Sequence, residues 1–90
     1  MKVIKIGAIW CPGCIIMKPR WKEIEEEHPN LQTVYYDYDE HEEMLLERYH
    51  IKDTLPVCIF LDNNEQELTR LIGEASRNEI LNILQKYKDF

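Results

Sequence analysis

Hydrophobic and polar positions in the first part of the chain predict a strand, a helix and a second strand. Residues 2–9 predict the first strand, because from residue 3 onward both faces are largely apolar, with Lys5 as the exception, a pattern typical of a central strand that is covered on both sides. From Pro12 to about Glu27 the apolar residues recur at helical spacing. Residues 31–38 have the pattern of a second strand, and the intervening helix is long enough for a crossover between parallel strands. The pattern therefore predicts a βαβ unit.

The remaining residues predict a helix, a hairpin and a last helix. Residues 40–49 carry apolar side chains at helical spacing, and Asp39 is interpreted as the cap of this helix. Two apolar runs, 56–61 and 66–72, flank a segment rich in turn residues and predict an antiparallel hairpin. Residues 76–79 have the spacing of a capping box at the start of a final amphipathic helix. The predicted order of elements is βαβαββα, an α/β fold.

The composition of the chain narrows the classes of partner. Its 90 residues suffice for one small domain over 1–90, and its formal net charge is -6. The charge and the lack of a Lys/Arg cluster argue against a surface for nucleic acid or anionic membranes, because both need a basic patch. No apolar run approaches the roughly 20 residues that span a bilayer, and a strand that starts at residue 2 leaves no room for a signal peptide. We therefore expect a monomer in the cytoplasm, with proteins or small thiols as partners.

The candidate chemistry is concentrated in Cys11-Pro12-Gly13-Cys14, at the predicted junction of the first strand and the first helix. Pro12 is favoured at the first position of a helix, so the helix is predicted to begin at Cys11. The unpaired N–H groups and the positive end of the helix dipole then point at the Cys11 sulfur and favour its thiolate form. Cys14 follows one turn later and is expected to reach that sulfur. The spacing predicts a redox pair in which Cys11 attacks a disulfide and Cys14 resolves the product.

Three other interpretations of the two cysteines compete with a redox pair. A structural disulfide over so short a loop would contribute only about 2 kcal/mol in the chain-entropy model. A zinc site needs about four ligands, and the sequence has no second Cys-x-x-Cys, so no metal is expected. A domain whose cysteines are incidental stays open as an interaction module. Cys58 lies in the apolar run 56–61, where a free cysteine is expected to serve packing.

Five features together resemble the thioredoxin superfamily over nearly the whole chain. The Cys-Pro-Gly-Cys motif follows the first strand. The other four are a tryptophan before the motif, a proline inside the first helix, a proline that opens the hairpin and a glycine before the last helix, namely Trp10, Pro19, Pro56 and Gly73. This resemblance implies a four-stranded mixed sheet of order 2-1-3-4 with three helices. The chain is similar in size to small thioredoxins and glutaredoxins.

The resemblance also implies roles for individual residues. Cys11 would be the nucleophile and Cys14 the resolving thiol of a thiol-disulfide oxidoreductase. Such an enzyme reduces protein disulfides, receives electrons from a thioredoxin-type reductase and binds no cofactor. The Leu55-Pro56 bond would be cis and form a backbone ledge beside Cys11. The implied docking surface for the substrate comprises Trp10, Pro12, Gly13, Leu55, Pro56 and Gly73. For Trp10, packing in the core is the competing interpretation.

Two departures from the family pattern concern the electrostatics and the redox direction. Lys5 stands where thioredoxins usually carry a buried acidic residue. If its ammonium stays near the motif, we expect a lower Cys11 pKa than in thioredoxin, and if it extends into solvent, we expect no effect. The order Pro12-Gly13 reverses the usual Gly-Pro, which leaves the redox potential open, although reduction suits a cytoplasm. A glutathione-linked, glutaredoxin-like enzyme is a further alternative, but the Gly73 turn lacks the paired glycines of glutaredoxins.

Overall fold

The computed structural model describes residues 1–52 and 54–89. Its strands are β1 (Lys2–Gly7), β2 (Gln32–Asp37), β3 (Val57–Leu61) and β4 (Glu67–Ile72). Its helices are α1 (Pro12–Glu27), α2 (Tyr38–Tyr49) and α3 (Arg77–Lys86). The predicted order βαβαββα and the α/β class are therefore confirmed.

The four strands form one mixed sheet of order β2-β1-β3-β4, as the resemblance implied. β1 pairs in parallel with β2 and antiparallel with β3, and β3 pairs antiparallel with β4. A parallel neighbour requires a crossover, which α1 supplies, whereas a hairpin joins β3 to β4. The register places Lys5 between Tyr35 on β2 and Cys58 on β3. Residues directly opposite each other in a sheet share a face, so these three side chains lie on the same side.

Side chains alternate between the two faces of β1 and divide the core into two layers. One layer packs α2 against the sheet and contains Ile4, Ile6, Ala8, Cys11, Tyr38, Leu45, Ile51, Val57, Ile59 and Leu61. The other packs α1 and α3 against the opposite face and contains Val3, Met17, Trp21, Ile24, Cys58, Phe60, Ala75 and Ile80. Burial on both faces explains why the two central strands are apolar apart from Lys2 and Lys5 of β1.

The first strand is shorter than predicted. β1 ends at Gly7 rather than at residue 9, and the Ala8 carbonyl accepts the Cys11 N–H (3.2 Å) in a turn that takes the chain out of the sheet. Ile9 lies in this turn and is 86% exposed. Its apolar side chain extended the strand pattern in the sequence, but in the fold it lies at the surface beside the cysteines.

The start of α2 corrects a second prediction. β2 ends at Asp37, whose carboxylate accepts the Glu40 N–H (3.2 Å), so Asp37 and not Asp39 caps α2. The helix consequently begins at Tyr38, before the predicted start at residue 40. The Asp39 carboxylate instead accepts the indole N–H of Trp10. Both aspartates are suitable caps by residue type, and only the end of β2 decides between them.

The Leu55–Pro56 peptide bond is cis, as the resemblance implied. The Pro56 carbonyl accepts the Gly73 N–H (2.7 Å), which continues the pairing of β3 and β4 beyond the end of the ladder. Gly73 has φ +89°, in the left-handed region that glycine adopts without strain. This end of the hairpin lies against α1, because Pro56 Cδ is 3.0 Å from the position of a Cβ on Gly13.

Candidate functional site

Cys11 and Cys14 form a disulfide at the start of α1, with their Cα atoms 5.3 Å apart. Cys11 is the N-cap residue in an extended conformation, and Pro12 follows it at the start of the helix. The prediction that the helix begins at the first cysteine is therefore confirmed. Its cause is local, because the φ angle of proline suits the first helical turn and its missing N–H costs no hydrogen bond there.

The first turn of α1 directs backbone N–H groups at Cys11. The Cys14 N–H donates to Cys11 Sγ (3.2 Å), and the Cys14 and Ile15 N–H groups lie 3.1 and 3.3 Å from the Cys11 carbonyl. A donor on the sulfur and the positive end of the helix both favour a thiolate over a thiol once the disulfide is reduced. The arrangement can therefore supply a sulfur nucleophile.

The disulfide lies just beneath the surface, and the residues next to it in sequence are exposed. Cys11 is 4% exposed and Cys14 is partly buried. Trp10 is 54% exposed, and Pro12 is also exposed. The exposed surface next to the cysteines in sequence is therefore formed by Trp10 and Pro12.

Trp10 is oriented by a contact that the sequence did not reveal. Its indole N–H donates to both carboxylate oxygens of Asp39 (2.9 and 3.1 Å), and its ring meets that of Tyr38 edge to face at 6.5 Å. The exposed position of Trp10 rules out the competing interpretation that it packs in the core. The contact with Asp39 depends on how α2 begins, so residue spacing alone could not have identified it.

The structure brings most of the predicted docking residues together at one end of the sheet. Gly13 lies against Pro56, and Pro56 is bonded to Gly73 through its carbonyl. Leu55 is partly buried against the core layer that contains Cys11. Any side chain at Gly13 would press on Pro56, so the close approach of α1 to the hairpin explains the glycine in the motif.

Lys5 does not join this surface. Its ammonium bonds both carboxylate oxygens of Glu25 (3.1 and 3.3 Å) and lies 5.9 Å from the centre of the Trp21 ring. The Thr33 hydroxyl donates to the same carboxylate. The side chain is only 18% exposed, so it does not simply extend into solvent as one interpretation held. Glu25 was not singled out in the sequence, because its partner is on another element.

A cavity of about 510 Å³ lies behind the disulfide on the α1 side of the sheet. Lys5, Cys14, Trp21, Tyr35 and Cys58 are among its lining residues. The cavity therefore places Cys14, Lys5 and Cys58 around one space. Tyr35, from the edge strand β2, lines the same space.

Cys58 is free and buried, as its place in an apolar strand predicted. Its sulfur accepts the indole N–H of Trp21 (3.2 Å). Burial raises the pKa of the Cys58 thiol to about 11, and this effect outweighs the Trp21 hydrogen bond and the charge of Lys5, which both lower the pKa. The thiol therefore stays protonated near neutral pH and is a poor nucleophile.

Neither a metal cluster nor a membrane span is found in the described part of the chain. Within residues 1–52 and 54–89, no three His, Cys, Asp or Glu side chains are grouped so that they could hold a metal ion. Over the same ranges, no helix combines the length and the apolar character needed to cross a bilayer.

A known protein family matches nearly the whole chain. A family profile described as thioredoxin covers residues 1–88. The chain belongs to the thioredoxin family. Among curated proteins, an H-type thioredoxin from Brassica campestris is 27% identical over 78 residues, which are 87% of this chain and 60% of that protein. The chain thus spans 60% of the length of this thioredoxin.

Solved thioredoxin structures share the fold of this family member. Thioredoxin 1 from Thermosipho africanus has a TM-score of 0.83 at 24% identity, and the match covers 99% of this chain and 96% of that one. A thioredoxin from Nicotiana alata gives 0.85 at 23% identity, with 96% and 71% covered. Fasciola hepatica thioredoxin gives 0.84 at 22%, with 96% and 79% covered. These similarities confirm the thioredoxin-like architecture.

Proposed function

We propose that this member of the thioredoxin family is a thiol-disulfide oxidoreductase that reduces disulfides in protein substrates. The observation that carries the proposal is the Cys14 N–H directed at Cys11 Sγ in the first turn of α1, with the two sulfurs joined in one disulfide. A thiolate in that position attacks disulfides, and a thiol one turn away can resolve the mixed disulfide.

In the proposed reaction, the reduced protein transfers two electrons to its substrate. The Cys11 thiolate attacks one sulfur of the substrate disulfide, and the other substrate sulfur leaves with its electron pair and takes up a proton. The Cys14 thiolate then attacks Cys11 Sγ, which forms the Cys11–Cys14 disulfide and releases the second substrate sulfur as a thiol. A thioredoxin-type reductase returns two electrons to the protein, with no cofactor bound to this chain.

We propose that the substrate docks on the residues that frame the disulfide. These are the residues expected from the sequence, namely Trp10, Pro12, Gly13, Leu55, Pro56 and Gly73. Support comes from the exposed face of Trp10 and from the contacts that join Gly13, Pro56 and Gly73. Ile9 and Ile72 are 86% and 61% exposed, so we expect apolar residues to be favoured near the substrate cysteine.

We further propose a reducing, cytoplasmic setting in which residues 1–90 act as one monomeric domain. Support comes from the cysteines, because a small secreted domain normally pairs its cysteines for stability, whereas Cys58 is buried and free. The net charge of -6 favours protein partners over nucleic acid or anionic membranes.

The proposal is tested by reduction of insulin with dithiothreitol as electron donor. We expect the wild-type protein to accelerate the reaction and Cys11→Ser to fall to the rate of dithiothreitol alone. Cys58→Ser is the matched control, because it makes the same chemical change at a thiol outside the motif, and it should retain most of the activity.

Three results would contradict the proposal. Wild-type protein that does not exceed the rate of dithiothreitol alone would favour an interaction module with incidental cysteines. Full activity of Cys11→Ser would remove Cys11 as the nucleophile. If glutathione with its reductase supports reduction of a small disulfide far better than dithiothreitol supports reduction of insulin, the protein is glutaredoxin-like instead.

A further inference from the structure

The Tyr35 hydroxyl and Cys14 both approach one point beside Gly7, on the α1 side of the sheet. Tyr35 is in the edge strand β2, where it is 56% exposed. Its hydroxyl oxygen lies 3.2 Å from the position that a Cβ on Gly7 would occupy, and Cys14 Cβ and Sγ are each 3.2 Å from that same position. The missing side chain of Gly7 therefore leaves one space that the tyrosine hydroxyl and the resolving cysteine share.

The Tyr35 hydroxyl is available as a donor in this space. Over residues 1–52 and 54–89 it makes no hydrogen bond in the disulfide form, whose Cys14 sulfur carries no charge. Burial, followed by the carboxylates of Asp37 and Glu40, raises the pKa of Tyr35 above its ordinary value. The hydroxyl consequently keeps its proton near neutral pH and can donate it in a hydrogen bond.

The charged and titratable groups around the same cavity are less suited to this role. From β1, the Lys5 ammonium is bound to Glu25 of α1. From β3, Cys58 bonds the Trp21 indole and stays protonated. Lys18 of α1 and Asp37 of β2 also line the cavity, but Lys18 is largely exposed and Asp37 caps α2.

We propose that the Tyr35 hydroxyl donates a hydrogen bond to Cys14 Sγ once the disulfide is open and so stabilises the thiolate of the resolving cysteine. This inference rests on the proposed function. The Cys14 thiol loses its proton to water, and its thiolate attacks Cys11 Sγ in the mixed disulfide. The Cys11–Cys14 bond forms as the bond from Cys11 to the substrate sulfur breaks, and that sulfur leaves with the electron pair. Tyr35 keeps its proton throughout and acts as a positioning residue.

Ellman's reagent separates the two steps in the reduced protein. Attack by Cys11 releases one thionitrobenzoate and leaves a second bound to Cys11, and attack by Cys14 then releases the second. In Tyr35→Phe we expect the first release to be unchanged and the second to slow about tenfold near neutral pH, since a hydrogen bond to a charged group is lost. The pH midpoint of the second release should rise by about one pH unit.

Tyr36→Phe is the matched control. Tyr36 is the next residue of β2, so its side chain lies on the opposite face, where its ring meets His41 at 5.2 Å. It should leave both releases unchanged. Well above the pH midpoint, the second release of Tyr35→Phe should approach that of wild type, because Cys14 is then fully ionised in both. A purely structural defect would persist at every pH.

Equal rates and midpoints of the second release in wild type and Tyr35→Phe would overturn the inference, as would a slower rate that does not recover at high pH. This outcome is distinct from failure of the proposed function, because Ellman's reagent reports the chemistry of the two cysteines whether or not the protein reduces insulin.

Discussion

Cys11 and Cys58 are each only 4% exposed, yet their surroundings predict opposite chemistry. Cys11 caps α1, and its sulfur accepts a backbone N–H from the first turn of that helix. Cys58 lies in a central strand with its sulfur against the Trp21 indole. The helix start favours a charged sulfur, whereas the strand raises the pKa of Cys58 to about 11 because burial disfavours the charged form.

The difference shows that two thiols of equal exposed area can have surroundings that favour opposite ionisation states. Both sulfurs accept one N–H donor, but only Cys11 also faces the positive end of a helix and has exposed neighbours on both sides in sequence. Cys58 has buried strand residues on both sides. Electrostatic surroundings and the exposure of neighbouring residues therefore separate a candidate nucleophile from a packing residue.

The largest expected effect is on alkylation. In reduced protein near neutral pH, we expect iodoacetamide to modify Cys11 at least roughly 100-fold faster than Cys58, because the thiolate is the reacting species. Mass spectrometry of digested samples over a time course measures both rates. In urea the three thiols should react at similar rates, which shows that the fold causes the difference. Comparable alkylation rates of Cys11 and Cys58 in the folded protein would show that their surroundings do not give the two thiols different reactivity.

The second effect concerns stability at alkaline pH. The pKa of Cys58 is about 11 in the folded protein, against an ordinary value of 9.0, so its thiol binds its proton more tightly when folded. The stabilisation that this protonated thiol gives the folded state is fully present below about pH 9 and is lost as the pH rises to about 11. At that pH the free energy of unfolding should have fallen by about 2 to 3 kcal/mol.

Urea unfolding of the oxidised protein between these pH values measures the loss. Cys58→Ser is the control, because serine keeps an acceptor for the Trp21 indole N–H but does not ionise in this range. The variant should lose less stability with pH than wild type, whatever its stability at neutral pH. Parallel curves for the two proteins would show that Cys58 is not shielded as the fold indicates.

The smallest expected effect is that of Lys5 on the ionisation of Cys11. The charge of Lys5 already lowers the pKa of Cys58. We propose that its ammonium favours the Cys11 thiolate, as expected from the sequence, but its charge is largely balanced by Glu25. Lys5→Met should therefore raise the pH midpoint of Cys11 alkylation by less than about one unit, and Glu25→Gln should lower it by a similar amount. Identical alkylation curves for the three proteins would refute a role for Lys5.

Local physical chemistry made several features predictable from the sequence. The apolar periods indicated the order of elements, Pro12 indicated a helix start at Cys11, and Ser76 with Glu79 indicated the capping box that begins α3. These features depend on residues within about one turn of each other, and over that distance backbone geometry and residue type are enough to predict the local structure. The resemblance to thioredoxins then supplied the sheet order and the cis bond before Pro56.

By itself, the sequence determined that two thiols would lie one turn apart at the start of a helix, because proline and the apolar pattern act locally. Only the tertiary structure decided which groups surround them: Asp37 as the cap of α2 with Asp39 left to bind Trp10, and Glu25 as the partner of Lys5. It also brought Tyr35 beside Cys14. Such pairs join residues far apart in the chain, so they depend on where each element ends and on which strands are neighbours. The spacing of residues along the sequence specifies neither of these.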